Sequence, residues 1–394
     1  MERIMNVLTR RVFNKYLISL FLLVASFGSF ASASPLGKPR LIAPKVLLPS
    51  VAGLGGVYST YERGINVLFS NPALYPFAKK KIAITALNFS IDILAFQAIS
   101  RLTSKDISTE MLKLVAEKKT LGTDLGLSGP IYFGYVDKNF GVGLFNTTRA
   151  TLLLPSLSSV HVLAGEDLYI TGGYGGVVYQ DAVHTVSLGF NMKGFAQTYA
   201  YLTGTLFNSA LNVYDKGLNG IPLLLQGGFG VDAGFAYKFA KFITVGATLK
   251  DLYTPTFTSY YKNYQDFLDN KKESGPRYEA FIPNFTFGCS INALPVDSVK
   301  HIHALTFYFD WKDFFSFVSS IRRNYFLNFA VGGELILHRI LSVRFGISDL
   351  YPQAGIGLDF THFNLDFAVY TRELSLSPWR KPLVNIELGM RFDI

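Results

Sequence analysis

The sequence predicts an all-β protein: a transmembrane antiparallel β-barrel of about fourteen strands with an N-terminal plug. Three observations lead there. The chain closes on a run with a period of two, in which Val384, Ile386, Leu388, Met390, Phe392 and Ile394 alternate with Asn385, Glu387, Gly389, Arg391 and Asp393. Composition is the second: Phe (35), Tyr (22) and Gly (35) are abundant and charged residues are only 16%. Yet beyond residue 33 no apolar run is long enough to span a bilayer as a helix. The third is that connections alternate between short and long, as barrel turns and outer loops do.

The elements follow in chain order. Arg3, Arg10, Arg11 and Lys15 precede the uncharged apolar stretch Tyr16 to Phe30 and the small residues Ala31-Ser32-Ala33, the pattern of a signal peptide over 1–33. Its fifteen-residue core is too short for a membrane anchor, which needs ~20 residues. Residues 34–78 do not alternate, are rich in glycine and apolar side chains, and are expected to fold as a plug inside the lumen of a barrel formed by 79–394.

Strands are expected near 82–92, 126–136, 140–150, 166–178, 182–194, 227–239, 241–251, 279–290, 300–312, 324–337, 340–348, 353–360, 363–372 and 382–394. Short links such as Asp137-Lys138-Asn139 and His338-Arg339 alternate with long loops at 93–125, 151–165, 195–226, 252–278, 313–323 and 373–381. Within 93–125, Ile107, Met111, Leu114 and Val115 have helical spacing behind a Thr103/Asp106 capping box. The pleat assigns faces: Phe229, Val231, Ala233, Phe235 and Tyr237 to lipid, as with Ile243, Val245, Ala247 and Leu249 and with Leu341, Val343, Phe345 and Ile347, and Asp232, Lys250, Asp310, Glu334, Arg344, Asp359, Asp366, Arg372, Glu387 and Arg391 to the lumen.

Several classes are disfavoured. The leader carries +3 of the formal charge of +9, and the remaining basic residues are scattered, so no nucleic-acid face is expected. A single Cys289 permits neither an internal disulfide nor a thiolate metal cluster. His301 and His303 lie two apart on a strand, without a third ligand in sequence, so neither a metal nor a cofactor is expected. No nucleophile elbow, phosphate loop or zinc-protease helix is present, and an enzyme is not expected.

Two segments resemble known proteins. Glu387, Gly389, Phe392 and Ile394 are similar to the C-terminal assembly signal of bacterial outer-membrane proteins, although that family more often ends in an aromatic residue. The glycine-rich stretch Val51 to Val57, followed by Phe69-Ser70-Asn71-Pro72-Ala73-Leu74, resembles the hatch of FadL/TodX-type outer-membrane transporters and their PorV-like relatives. That resemblance implies a plugged fourteen-stranded barrel in the bacterial outer membrane that passively takes up hydrophobic compounds, long-chain fatty acids first among them. It makes Asn71, Pro72 and Ala73 the hatch motif. Asn71 can bond its own turn and Pro72 fixes φ, so the motif is a rigid corner on physical grounds alone.

For an amphiphilic carboxylate the chain offers Phe195, Tyr199, Tyr201, Leu206, Phe207, Tyr253, Phe257, Tyr260 and Tyr261 as a candidate groove. Lys250, Arg344, Arg372 and Arg391 are candidate lumenal cations, each with ion pairing to a lumenal acid as the alternative. The expected partners are a hydrophobic small molecule, outer-membrane lipid and the barrel assembly machinery, with the protein a monomer. The competing readings are a PorV-like secretion shuttle, a surface adhesin and, third, a general porin.

Overall fold

The computed structural model describes residues 43–102, 121–156, 159–205, 220–240, 242–294, 301–314 and 323–394. The expected leader, the helical spacing between Thr103 and Lys119, and Leu206 and Phe207 of the candidate groove lie outside them. Among the described residues sixteen strands form one sheet. They are β1 (Lys81–Asp92), β2 (Leu121–Asp137), β3 (Phe140–Ser156), β4 (Ser159–Gln180), β5 (His184–Thr205), β6 (Leu223–Phe239), β7 (Ile243–Tyr253), β8 (Pro255–Tyr261), β9 (Arg277–Ala280), β10 (Asn284–Leu294), β11 (Ile302–Trp311), β12 (Phe329–Leu337), β13 (Leu341–Ser348), β14 (Tyr351–Asp359), β15 (Phe363–Glu373) and β16 (Pro382–Asp393).

All pairings are antiparallel, and the sheet closes through β1 with β16 and β5 with β6. β7 and β8 lie end to end along β6, and β9 and β10 end to end along β8 and β7, so the wall has fourteen staves as expected. Where β7 passes to β8, the register against β6 jumps from Ala233↔Leu249 to Val231↔Tyr253, a bulge of two extra residues around Lys250, Asp251 and Leu252. Between β9 and β10 the break falls at Phe281–Pro283, where proline has no N–H for the ladder.

The alternation does what the pleat requires. Ile347, Phe345 and Val343 of β13, Phe229 and Phe235 of β6, and Leu388 and Phe392 of β16 are exposed on the outer face. Asp232, Asp310, Glu334, Arg344 and Glu387 are buried on the inner one. An arginine on the lipid face would cost about 2–4 kcal/mol at the bilayer midplane, which fixes the register of each stave.

The structure corrects the expected loops. Residues 151–156 and 159–165 are strand and not loop, because β3 and β4 stay paired from Phe140↔Tyr174 up to Ser156↔Ser159. Residues 195–205 and 223–226 likewise belong to β5 and β6, which remain in register up to Ala200↔Leu223. The region 252–278 holds β8, a short helix at Tyr264–Leu268 and the start of β9, and the strand expected at 279–290 begins within β9. These extensions lack a clean apolar alternation because they rise above lipid, where neither face has to be greasy. β4 and β5, at 22 residues each, are extended over ~70 Å, whereas β13 has 8 residues and reaches ~27 Å. The barrel therefore carries a tall wall on one side only.

Residues 46–78 touch the wall all the way round, which is possible only from within. Leu54 lies over Gly332 of β12 and Gly346 of β13, Ser59 over Gly246 of β7, Asn71 and Pro72 over Gly234 of β6, Pro72 over Gly189 of β5, and Leu68 and Tyr75 over Gly141 of β3. The segment has little regular structure, only a helical turn at Pro49–Ala52 and 3-10 turns at Gly64–Phe69 and Pro72–Phe77. Its apolar side chains Ile65, Val67, Leu68, Ala73, Leu74 and Tyr75 pack with Tyr132, Val136 and Phe145 of the wall.

Two outcomes are expected. A Cβ at Gly346 would press on the backbone of Leu54 and Gly55, so Gly346→Val should destabilise the barrel by about 1–3 kcal/mol, read as a lower temperature for loss of compact mobility on gels. Phe392→Asp with Ile394→Asp puts two charges on the outer face of β16, and membrane fractionation should find that protein uninserted.

Candidate functional site

The corner Asn71-Pro72-Ala73 is held from three directions. Asn71 Nδ2 donates to Ser59 O (2.9 Å) and to Phe235 O of β6 (2.9 Å), and Asn71 Oδ1 accepts from Ala73 N (3.0 Å). Ser187 of β5 donates its hydroxyl to Ala73 O (2.7 Å), and Tyr75 donates to Asn191 Oδ1 (2.8 Å). Asn71 is fully buried, so each of these bonds replaces a water that the packed lumen excludes. On β11, Asp310 accepts from Tyr58 N (2.7 Å), Ser59 N (3.1 Å) and the Ser59 hydroxyl. Lys312 donates to Gly55 O (2.8 Å), and Arg63 meets Glu334 at 3.0 Å.

The lumenal cations proposed from sequence are largely spoken for. Arg344 lies between Glu334 (2.9 Å) and Asp366 (2.5 Å), Arg372 pairs with Asp124 (2.9 Å), and Arg391 with Asp393 (2.8 Å). Lys250 has no such acid: its Nζ donates to Phe69 O (2.7 Å) and stands 3.8 Å from the Tyr58 ring centre, a cation–π contact. All four therefore hold the wall or the inner segment together.

Two cations that sequence reasoning did not single out stand near the upper end of the lumen. Lys45 precedes Leu47, whose backbone is fixed by Ser128 Oγ (3.0 Å) and Asn88 Nδ2 (2.8 Å), and Arg149 of β3 donates to Lys45 O (3.4 Å). Neither forms an ion pair among the described residues. Lys45 is exposed to the space inside the barrel. That enclosure, aided by repulsion from Arg372 and Arg149 and opposed by Glu387, lowers its ammonium to about 8. No local pattern marks Lys45 or Arg149, because what sets them apart is that Arg344, Arg372 and Arg391 are paired with acids.

The aromatic groove is split in three by the pleat. Tyr199, Tyr201 and Tyr260 are buried with Leu224 on the inner face of the tall wall, Tyr201 and Tyr260 edge to face. Burial pushes the Tyr260 phenol up and that of Tyr201, with Glu273 nearby, to about 12. Tyr261 is buried against Phe267 and donates to Asn270 Oδ1 (3.3 Å). Tyr253 is exposed at the end of β7.

Phe195 and Phe257 alone share a cavity, of about 460 Å³, with Phe229, Tyr278, Pro255 and Gly227. Ala196, Gly227, Phe257 and Tyr278 are direct cross-strand partners on β5, β6, β8 and β9, and Leu168 of β4 extends the same row. Phe229, two residues along from Gly227, is 60% exposed on the lipid-facing side, which puts the row on the outer face. Gly227 and Gly228 form the floor: the Phe257 ring covers one and the Phe195 ring the other, where any Cβ would collide. Phe195, in the inner row with Tyr199 and Tyr201, closes the cavity from within, and Phe229, Phe257 and Tyr278 make it a greasy recess on the outside of the tall wall, just above the lipid-facing belt.

No family model matches the chain, and no curated protein matches its sequence. Solved structures of FadL/TodX-type transporters, the type the sequence resembles, are similar in fold. The CymD monoaromatic hydrocarbon channel has a TM-score of 0.46 at 11% identity, covering 88% of this chain and 96% of its own. The Pseudomonas putida toluene transporter TodX has a TM-score of 0.43 at 12% identity, covering 87% and 96%. A Pseudomonas aeruginosa FadL homologue has a TM-score of 0.38 at 12% identity, covering 88% and 96%.

Asp310→Ala would leave Tyr58 N, Ser59 N and the Ser59 hydroxyl without their acceptor in a dry lumen. The expected loss is about 3 kcal/mol, with faster proteolysis inside 43–78 in the detergent-solubilised protein as the check.

Proposed function

We propose that this chain is a bacterial outer-membrane barrel for passive uptake of a hydrophobic molecule, most specifically a long-chain fatty acid. It would be exported by its leader, inserted by the barrel assembly machinery, and work as a monomer surrounded by outer-membrane lipid. The observation that carries the reading is the apolar recess of Phe229, Phe257 and Tyr278 on the outer face of the tall wall of a barrel whose bore is occupied by residues 46–78. A filled bore suits neither sugars nor ions. An apolar recess at the edge of the lipid belt suits a molecule that partitions out of water.

On this reading residues 34–78 are a hatch, with Asn71, Pro72 and Ala73 as its anchor, and Lys45 with Arg149 receives the carboxylate. Those two replace Lys250, Arg344, Arg372 and Arg391 in that role, since the four already have partners. Ion-paired cations would have to give up an acid to bind an anion; Lys45 and Arg149 have none to give up among the described residues.

Deleting residues 34–78 should turn a nearly closed barrel into a conducting one in planar bilayers; wild-type protein that already conducts like a porin would overturn the hatch. Each added methylene should tighten fatty-acid binding by about fourfold, from ~0.8 kcal/mol per group, until the recess is full. Phe257→Asp should remove most of that gain in calorimetric titrations. Lys45 is charged below about 8, so carboxylate affinity should be highest near neutral pH. It should weaken by roughly tenfold as pH rises to 9, and Lys45→Gln should flatten the profile.

A further inference from the structure

We propose that His301 and His338 form a two-imidazole chelate for divalent copper on the rim of the barrel that carries the short turns. The two residues close neighbouring hairpins, His301 just before β11 and His338 just after β12, and are tied by a bond from His338 N to His301 O (3.1 Å). Both backbones are left-handed, at φ 72° and 51°. Both side chains are exposed, and their rings approach with Nδ1 of His301 2.7 Å from Nε2 of His338. The ring centres are 4.8 Å apart at an interplanar angle of 53°.

An exposed bond between two neutral imidazoles contributes little to stability, because water offers each ring an equally good partner. The backbone, tied by the His338 N to His301 O bond, holds the two nitrogens close; in the free protein one carries the shared proton and the other its lone pair. With metal–nitrogen bonds of about 2.0 Å, cis ligands at a right angle put their nitrogens about 2.8 Å apart, and tetrahedral ligands about 3.3 Å. The observed 2.7 Å fits the right angle. Tetragonal geometry with two imidazoles selects copper(II), which also heads the affinity order of the divalent first-row ions. Water completes the coordination. Of the two rings, the one that donates in the free protein moves its proton to its far nitrogen, so chelation releases no proton where both are neutral. The sequence pairs His301 with His303 by spacing, whereas the fold pairs it with His338 across the two turns.

The test uses the full barrel, without a histidine tag, in detergent, titrated with copper(II) and followed by electron paramagnetic resonance. The variants are His301→Asn and His338→Asn, because asparagine tolerates left-handed backbone; unchanged gel mobility reports that they fold. One equivalent of copper should show nitrogen hyperfine structure from two imidazoles, each single variant should bind about tenfold more weakly with one nitrogen, and zinc should bind about tenfold more weakly than copper. A spectrum with fewer than two nitrogens in the wild-type protein, identical spectra from wild-type and doubly substituted protein, or zinc binding as tight as copper would overturn the proposal.

Discussion

A polypeptide seated in the bore of a barrel brings its backbone with it, and every N–H and C=O that leaves water must find a partner there. This requirement organises the rest of the structure. The inner segment has almost no regular hydrogen bonding of its own, so the wall supplies it: Asp310 for Tyr58 and Ser59, Ser187 for Ala73, Ser128 and Asn88 for Leu47, Lys312 for Gly55. Close approach is needed for those bonds, and glycines on the inner face make it possible. A wall with side chains at Gly189, Gly234, Gly246 or Gly346 would hold the segment off by the width of a methyl group and leave its polar groups stranded. The buried charges of the lumen then fall into place as partners of one another or of the segment, which is why so few cations remain unpaired.

The outer architecture follows a different constraint. On the short side, β12 to β14 have only 8 or 9 residues, little more than the lipid demands, while β3 to β6 and the end-to-end pairs β7/β8 and β9/β10 continue upward as a freestanding sheet. A sheet with water on one side and loops on the other has no reason for strict alternation, and its aromatic residues sort by row. The inner rows pack into a cluster around Leu224, and the outer row opens into the recess under Phe257 and Tyr278. The recess owes its depth to Gly227 and Gly228, whose missing side chains are replaced from either face by a phenylalanine ring.

This division also decides what the sequence could disclose. Each stave within the lipid belt was legible, because a period of two with one greasy face has a single physical reading; the lipid-facing rows of β6, β7, β13 and β16 lie where the alternation puts them. The extensions beyond the belt were not, since Val160 to Gly165 or Ala196 to Tyr201 alternate weakly and read as loop until pairing partners are known. Tyr199, Phe257 and Tyr261 are close in the aromatic inventory but lie in different environments, a distinction that depends on the face presented and on register. Lys45 and Arg149 were illegible for another reason: that they have no acid among the described residues, while Arg344, Arg372 and Arg391 do, is a matter of the folded arrangement and not of local pattern.

The inner segment also has a mechanical meaning. Pro49 and Gly53 bear on β16 and β14, and Pro72 bears on β4, β5 and β6, nearly half a turn away round the ring. Between those footholds the chain runs across the bore like a strut. A hollow ring of fourteen staves flattens easily under lateral load, and a braced one does not. Leaving its seat would therefore free the segment and, in the same motion, soften the cross-section of the whole barrel, so passage through the bore and deformation of the ring belong to one mechanical event.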